Sequence, residues 1–269
     1  MIFSKTPYRI SFLGGGTDYP KWYLKNGGQV ISTSIDKYLY ITCRYLPPFH
    51  EHKIRLVYSK IEKVKNYKDL IHPSAKAVTQ YLKIKDGLEI HYDGDLPARS
   101  GIGSSSAFTV GLLSALKAYQ GKIISKKKLY EESIKIEQNI IKETVGSQDQ
   151  ISTANGDFNH IKFKKNGKII VNKINISSEI VNKLDKNILL FFTGTVRTAE
   201  DIAKTVITDI SKKNKYFNNL YTIVDEGIKF LKEGNIDDFG RLLDKNWQQK
   251  KFLSKKISNK KIDYLYNTA

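Results

Sequence analysis

Leu96-Pro97-Ala98-Arg99-Ser100-Gly101-Ile102-Gly103-Ser104-Ser105-Ser106-Ala107 is the stretch whose reading decides the fold. A proline and two glycines set up a tight loop of small residues. Three serines follow, and an apolar segment from Phe108 to Tyr119 then reads as a helix. Glycines let backbone approach a ligand closely, and the first N–H groups of a helix have no intrahelical partner. Such a junction therefore attracts anions, phosphate above all. A Walker loop is excluded, because it needs Gly-Lys-Ser or Gly-Lys-Thr, whereas Gly121-Lys122 and Gly167-Lys168 both precede isoleucine. A dinucleotide fingerprint would need glycine or alanine at Ser106 and a strand running straight into the loop. The strand candidate Leu88–Tyr92 is instead separated from the loop by Asp93-Gly94-Asp95-Leu96-Pro97. The His-Arg-Asp and Asp-Phe-Gly signatures of protein kinases are absent as well.

Two further segments sharpen the reading. Thr6-Pro7-Tyr8-Arg9-Ile10-Ser11-Phe12-Leu13 alternates as a strand and runs into Gly14-Gly15-Gly16, which presents Thr17 and Asp18. Val145-Gly146-Ser147-Gln148-Asp149-Gln150 follows a helical pattern from Lys126 to Ile141. In this order and at these distances, the three segments resemble the GHMP kinases, a family that includes galactokinase, homoserine kinase, mevalonate kinase and phosphomevalonate kinase. Several features look most like the D-glycero-D-manno-heptose 7-phosphate kinase branch. They are the triple-glycine Thr-Asp turn, Ser106-Ala107-Phe108-Thr109-Val110-Gly111-Leu112-Leu113, Gly146-Ser147-Gln148-Asp149-Gln150, Ile31 to Tyr38, and Phe192 to Ala199. The resemblance covers nearly the whole chain.

The resemblance implies an ATP- and Mg²⁺-dependent kinase of two α+β domains, the first a mixed sheet with helices and the second largely helical. Pro97, Gly101, Ile102, Gly103, Ser104, Ser105 and Ser106 would hold the nucleotide phosphates. By the same resemblance, Mg²⁺ takes a loop serine, Ser105 or Ser106, and Glu137, while Asp149 serves as base with Arg9 keeping it ionised by opposite charge. Asp18, with Gly15, Gly16 and Thr17, would hold acceptor hydroxyls. The implied acceptor is the anomeric (C1) hydroxyl of D-glycero-D-manno-heptose 7-phosphate, feeding nucleotide-activated heptose synthesis. An acceptor already phosphorylated at its far end needs a second anion site. Arg197 is the candidate, because a guanidinium fork suits phosphate; Arg99 and Arg44 are others. Competing readings are a kinase for another small sugar, fucose- or galactose-like, and a non-catalytic ligand- or nucleic-acid-binding relative.

Composition bounds these readings. The 269 residues are 40% hydrophobic, enough for one large core or two modest ones. No apolar run approaches the roughly 20 residues of a spanning helix, and Met1 to Ile10 reads as a strand rather than a leader, so a cytoplasmic protein is expected. The single cysteine, Cys43, lies in an alternating run and reads as a packed strand residue. A net charge of +18 comes mostly from scattered lysines. Without interleaved aromatics these read as solvated faces that would recruit ATP and a sugar phosphate, and no nucleic-acid partner is expected.

Periodicity predicts strands at Tyr8–Phe12, Gln29–Ser34, Tyr38–Tyr45, Ile54–Tyr58, Leu88–Tyr92, Phe158–Lys162, Lys168–Ile174 and Ile188–Thr193. It predicts helices at Ser74–Leu82, Ser105–Tyr119, Lys126–Ile141 and Gln148–Thr153. After Thr198 the pattern becomes helical, over Ala199–Ser211, Leu220–Glu233, Ile236–Gln249 and Ile262–Asn267, with Gly234-Asn235 as a stop. The domain boundary is expected near Ser177 to Asp185, dividing an ATP-binding domain over 1–180 from a second over 181–269. The family's third, glycine-rich motif has no counterpart after Gly240, so the second domain is expected to be incomplete.

Overall fold

The structure, a computed structural model, describes residues 1–194 and 199–268. Its strands are β1 (Ile2–Leu13), β2 (Gly28–Tyr45), β3 (Ile54–Val57), β4 (Ile61–Val64), β5 (Leu88–Gly94), β6 (Phe158–Phe163) and β7 (Ile169–Lys173). Its helices are α1 (Pro20–Asn26), α2 (Pro73–Tyr81), α3 (Ser104–Tyr119), α4 (Lys126–Lys135), α5 (Gln148–Asn155), α6 (Ser178–Lys186), α7 (Ala199–Ile207), α8 (Asn214–Glu233), α9 (Ile236–Lys251) and α10 (Lys260–Thr268). The chain divides into two compact units, each discontinuous in sequence. The first is Met1–Arg9, Ser34–Thr144 and Asp149–Gly156; the second is Ile10–Thr33, Val145–Gln148 and Asp157–Ala269.

In the first unit, the far half of β2 pairs antiparallel with β5, β5 pairs parallel with β3, and β3 pairs antiparallel with β4. This gives a mixed sheet. Alternate residues Leu39, Ile41, Leu88, Ile90, Ile54 and Leu56 point to one face and are fully buried, as strand geometry requires. They pack with Val78 of α2 and Ala107, Leu112, Ala115 and Leu116 of α3 in one core. Helix α3 can approach β1 because Gly111 has no side chain: a Cβ there would stand 2.7 Å from Thr6 Oγ1. Cys43 lies in this core, 1% exposed, and burial pushes its thiol up to about 11. An inert packed thiol is what the alternating run predicts.

In the second unit, the near half of β2 pairs antiparallel with β6, and β6 with β7. Phe12, Leu13, Ile31, Val224, Leu231, Phe239 and Leu242 form its core. Helices α8 and α9 are separated by Gly234, whose left-handed φ of 67° ends the first helix. The Asn235 side chain then accepts from Asp238 N–H at 3.2 Å and starts the second.

Several expectations need correction. The two predicted strands over 29–45 are one strand, because Ile35 to Lys37 stay extended. Ile188–Thr193 is not a strand: no pairing of it exists among the described residues, and Leu189, Leu190, Phe191 and Phe192 are all exposed. Ile188 N–H instead donates to the Asp185 carbonyl at 3.2 Å, closing the end of α6. The helix from Lys126 to Ile141 changes character at Ile136, where the last six residues form a wider π-helical stretch. Helices α1 and α6 and strand β4 were not anticipated.

Candidate active site

The glycine loop ends in helix α3 as its sequence requires. Gly101 and Gly103 adopt left-handed φ values of 83° and 76°, a region that L side chains rarely enter. Gly103 caps the helix, its carbonyl accepting from Ala107 N–H at 2.9 Å. Open space surrounds the position where a Gly101 side chain would project. Arg99 also turns left-handed, its N–H donating to Ser104 Oγ at 3.1 Å, and Ser100 Oγ donates to the Pro97 carbonyl at 2.7 Å. The loop is therefore braced from within and leaves the first turn of a 16-residue helix for an anion.

Strand alternation places Arg9 beside this loop. Tyr8 is fully buried, so its neighbour projects to the other face. The Arg9 backbone N–H donates to the Ile102 carbonyl at 3.1 Å, and Arg9 Nη1 donates to the Gly101 carbonyl at 2.8 Å. The rest of the guanidinium grips Asp149 side-on: Nε donates to Oδ1 at 2.9 Å and Nη2 to Oδ2 at 2.7 Å. A bidentate fork fixes the carboxylate plane as well as its charge. A Cβ at Gly103 would also crowd Arg9, 3.1 Å from its Cγ. Asp149 occupies the first turn of α5 and keeps about a quarter of its side chain exposed.

Behind the loop, Ser106 Oγ donates to Glu137 Oε2 at 2.9 Å, and Gln150 Nε2 donates to the same oxygen. Glu137 is fully buried on the π-helical stretch. Burial raises its pKa to about 7, against the pull of hydrogen bonds from Thr109, Gln150 and Ser106. Its other oxygen, Oε1, is buried with no hydrogen-bond partner among the described residues. A buried carboxylate oxygen left unpaired is costly, and such a group in a native site calls for an explanation. The hydroxyl–carboxylate pair offers hard oxygen ligands of the kind Mg²⁺ prefers. Among the described residues no cluster of three His, Cys, Asp or Glu exists, so phosphate oxygens and water would complete any coordination here. Ser105, by contrast, points to solvent.

In the second unit the Gly14–Asp18 turn is built differently. Thr17 is fully buried, its hydroxyl donating to the carbonyls of Gly14 and Gln29 at 2.8 and 2.9 Å. Asp18 is 1% exposed. Its Oδ1 accepts from Gly16 N–H at 2.9 Å and from Gln148 Nε2 at 3.4 Å, while Oδ2 accepts from Gln148 N–H at 3.2 Å. A side chain at Gly146 would collide with Asp18 Oδ2 at 1.9 Å. Asp18 thus ties the triple-glycine turn to the segment that precedes Asp149.

Of the anion-site candidates, Arg44 is engaged with buried Glu89, which Arg55 and His91 also contact. Arg99 is exposed on the loop, and Arg197 lies outside the described residues. The sequence reading did not single out Gln150, although it shares Glu137 with Ser106; its place one residue after Asp149 was the available signal. Two surface hollows of about 570 and 540 Å³ lie elsewhere, around Lys164 to Lys168 and around Pro47 to Lys53, and include none of these residues.

Comparison with known proteins gives likenesses of three kinds. Residues 69–157 match the family model for the GHMP kinases N terminal domain. The whole chain aligns with 82% of a D-glycero-alpha-D-manno-heptose 7-phosphate kinase of Campylobacter jejuni at 26% identity. It also aligns over 89% of its length with 74% of a galactokinase of Thermotoga neapolitana, at 24% identity. A crystal structure of a D-glycero-D-manno-heptose 1-phosphate kinase from Bacteroides thetaiotaomicron superposes with a TM-score of 0.78 at 22% identity, over 93% of this chain and 79% of that one. Residues 69–157 thus carry a match to the GHMP kinases N terminal domain, and the fold is that of the solved heptose phosphate kinase.

Proposed function

We propose that the protein transfers the γ-phosphoryl group of ATP to the anomeric hydroxyl of D-glycero-D-manno-heptose 7-phosphate, giving the 1,7-bisphosphate. The carrying observation is the Arg9 fork, which holds Asp149 with two hydrogen bonds while its third nitrogen holds the phosphate loop at Gly101. One side chain thus couples the candidate base to the candidate nucleotide site.

The backbone N–H groups at Gly101 to Ser106 hold the β- and γ-phosphates. Ser106 and Glu137 would be the protein ligands for Mg²⁺, which would neutralise charge on the transferring group. Asp149 orients the acceptor hydroxyl and takes its proton as the oxygen bonds to the γ-phosphorus and the bond to ADP breaks. Late proton removal suits a loose transition state. The Campylobacter and Bacteroides relatives, both named as heptose phosphate kinases, support a sugar-phosphate acceptor.

A coupled assay over heptose 7-phosphate, galactose and fucose, with ³¹P NMR of the product, tests this reading. Fastest turnover with the heptose phosphate and a new anomeric phosphate signal are expected. A free sugar turned over faster than every phosphorylated one rejects the acceptor assignment.

A further inference from the structure

The middle glycine of the triple-glycine turn is dictated by its neighbours rather than by its own backbone. Gly14 and Gly16 have φ values of 80° and 109°, whereas Gly15 lies outside the left-handed region. What a side chain at Gly15 would meet is polar: Lys250 Nζ at 2.9 Å, Ser11 Oγ at 3.0 Å and Gln148 Nε2 at 3.3 Å from the Cβ position. Ser11 Oγ donates to Gln148 Oε1 at 2.7 Å, which fixes the amide over the turn.

Lys250 arrives from helix α9 with a companion. Asn246, one turn earlier on the same face, is 4% exposed; its Oδ1 accepts from Gly14 N–H at 3.3 Å and its Nδ2 donates to the Phe12 carbonyl at 3.4 Å. Asn246 anchors the helix to the turn, and the anchor sets the half-buried Lys250 ammonium directly over Gly15. No contact of this kind is legible in the sequence, where the two segments stand far apart.

We propose that Lys250 recognises an anionic group on the acceptor, a phosphate monoester, with Ser11 and the Gln148 amide completing the polar surface. The inference rests on the proposed function and deepens it by naming the side chain that selects a phosphorylated sugar. An ammonium is a compact point charge with three donors, suited to phosphate. A glycine beneath it lets a ligand oxygen approach backbone as well as side chain. Gln148, which shares this surface, is the residue immediately before Asp149.

Calorimetry and steady-state kinetics with heptose 7-phosphate and with unphosphorylated heptose test the assignment on wild type, Lys250→Ala, Lys250→Gln and Lys250→Arg. In the Ala and Gln variants, affinity for the phosphorylated sugar should fall by about tenfold or more, the size of a lost charge-assisted hydrogen bond. The unphosphorylated sugar and the KM for ATP should change by less than about twofold, and Arg should restore part of the loss. Gly15→Ala should reproduce the Lys250→Ala effect and add little on top of it, since both changes act on one contact. Equal affinity ratios for the two sugars in wild type and Lys250→Ala overturn the inference. So does wild type that binds neither. Binding that depends on Lys250 without transfer to the heptose phosphate would instead overturn the proposed acceptor chemistry and leave the lysine assignment standing.

Discussion

The loop at Pro97–Ser106 and the turn at Gly14–Asp18 are written in the same vocabulary, glycines followed by hydroxyl and acidic side chains, yet they end in opposite states. Around the loop, polar capacity is left over: an unpaired Glu137 oxygen, an exposed Ser105 and open space above Gly101. At Thr17 and Asp18 it is consumed, both side chains buried and bound to backbone. Burial and hydrogen-bond accounting, more than residue type, separate a group that presents itself to a ligand from one that holds the scaffold.

The comparison breaks most decisively at Asp149. Asp149→Asn keeps the size of the side chain but removes the proton acceptor. Turnover should fall by about a thousandfold or more while Mg²⁺-ATP still binds, read by a coupled assay and nucleotide titration. Near-normal turnover would remove Asp149 from the mechanism.

Glu137 gives the next largest effect and a pH signature. Its carboxyl is raised from 4.5 to about 7 by burial. The stability this contributes to the unliganded fold is present below pH 4.5 and is lost as pH rises through 7, a difference on the order of 3 kcal/mol. Glu137→Gln should therefore melt higher than wild type at pH 8, close to it near pH 4.5, and lose most Mg²⁺-dependent turnover. In wild type, Mg²⁺-ATP affinity should rise with pH to a plateau above about 7, because only the ionised carboxylate serves a cation. An affinity flat from pH 5.5 to 8 would contradict this.

The serines sharpen the contrast within the loop. Ser106→Ala should cost about 10- to 100-fold in Mg²⁺-dependent kcat/KM, the usual range for disturbing a metal's immediate support. Ser105→Ala, which removes an exposed hydroxyl, should cost only a few-fold. Equal effects would mean that the two hydroxyls share the role. Smallest in rate, but visible in stability, is Asp18→Asn. Its amide would face a backbone N–H with a second donor, so denaturant unfolding should show a loss of about 1–3 kcal/mol. A large drop in kcat with unchanged stability would return Asp18 to the acceptor site as a direct ligand.

Much of this was legible in the sequence because it is local or because it is ordered along the chain. The loop-to-helix junction, the strand carrying Arg9 and the helix carrying Asp149 each follow from nearby residues, and the family resemblance supplied their common purpose. Helix α1 carries readable punctuation, with Pro20 at its first turn and Gly27 after its end. Other features depend on tertiary partners. Ile188–Thr193 alternates like a strand but finds no ladder among the described residues, and whether Asp18 faces ligand or backbone depends on Gly146 and Gln148, about 130 residues away. The widened helical stretch that carries Glu137, and the lysine over Gly15, have no local signal either.

The most direct test of the account is a crystal structure with Mg²⁺ and a non-hydrolysable ATP analogue. The metal is predicted at about 2.1 Å from Ser106 Oγ and from a Glu137 oxygen, with the γ-phosphate on the backbone N–H groups of Gly101 to Ser106. A nucleotide bound with its phosphates away from that loop, or a metal that ignores Glu137, would contradict it.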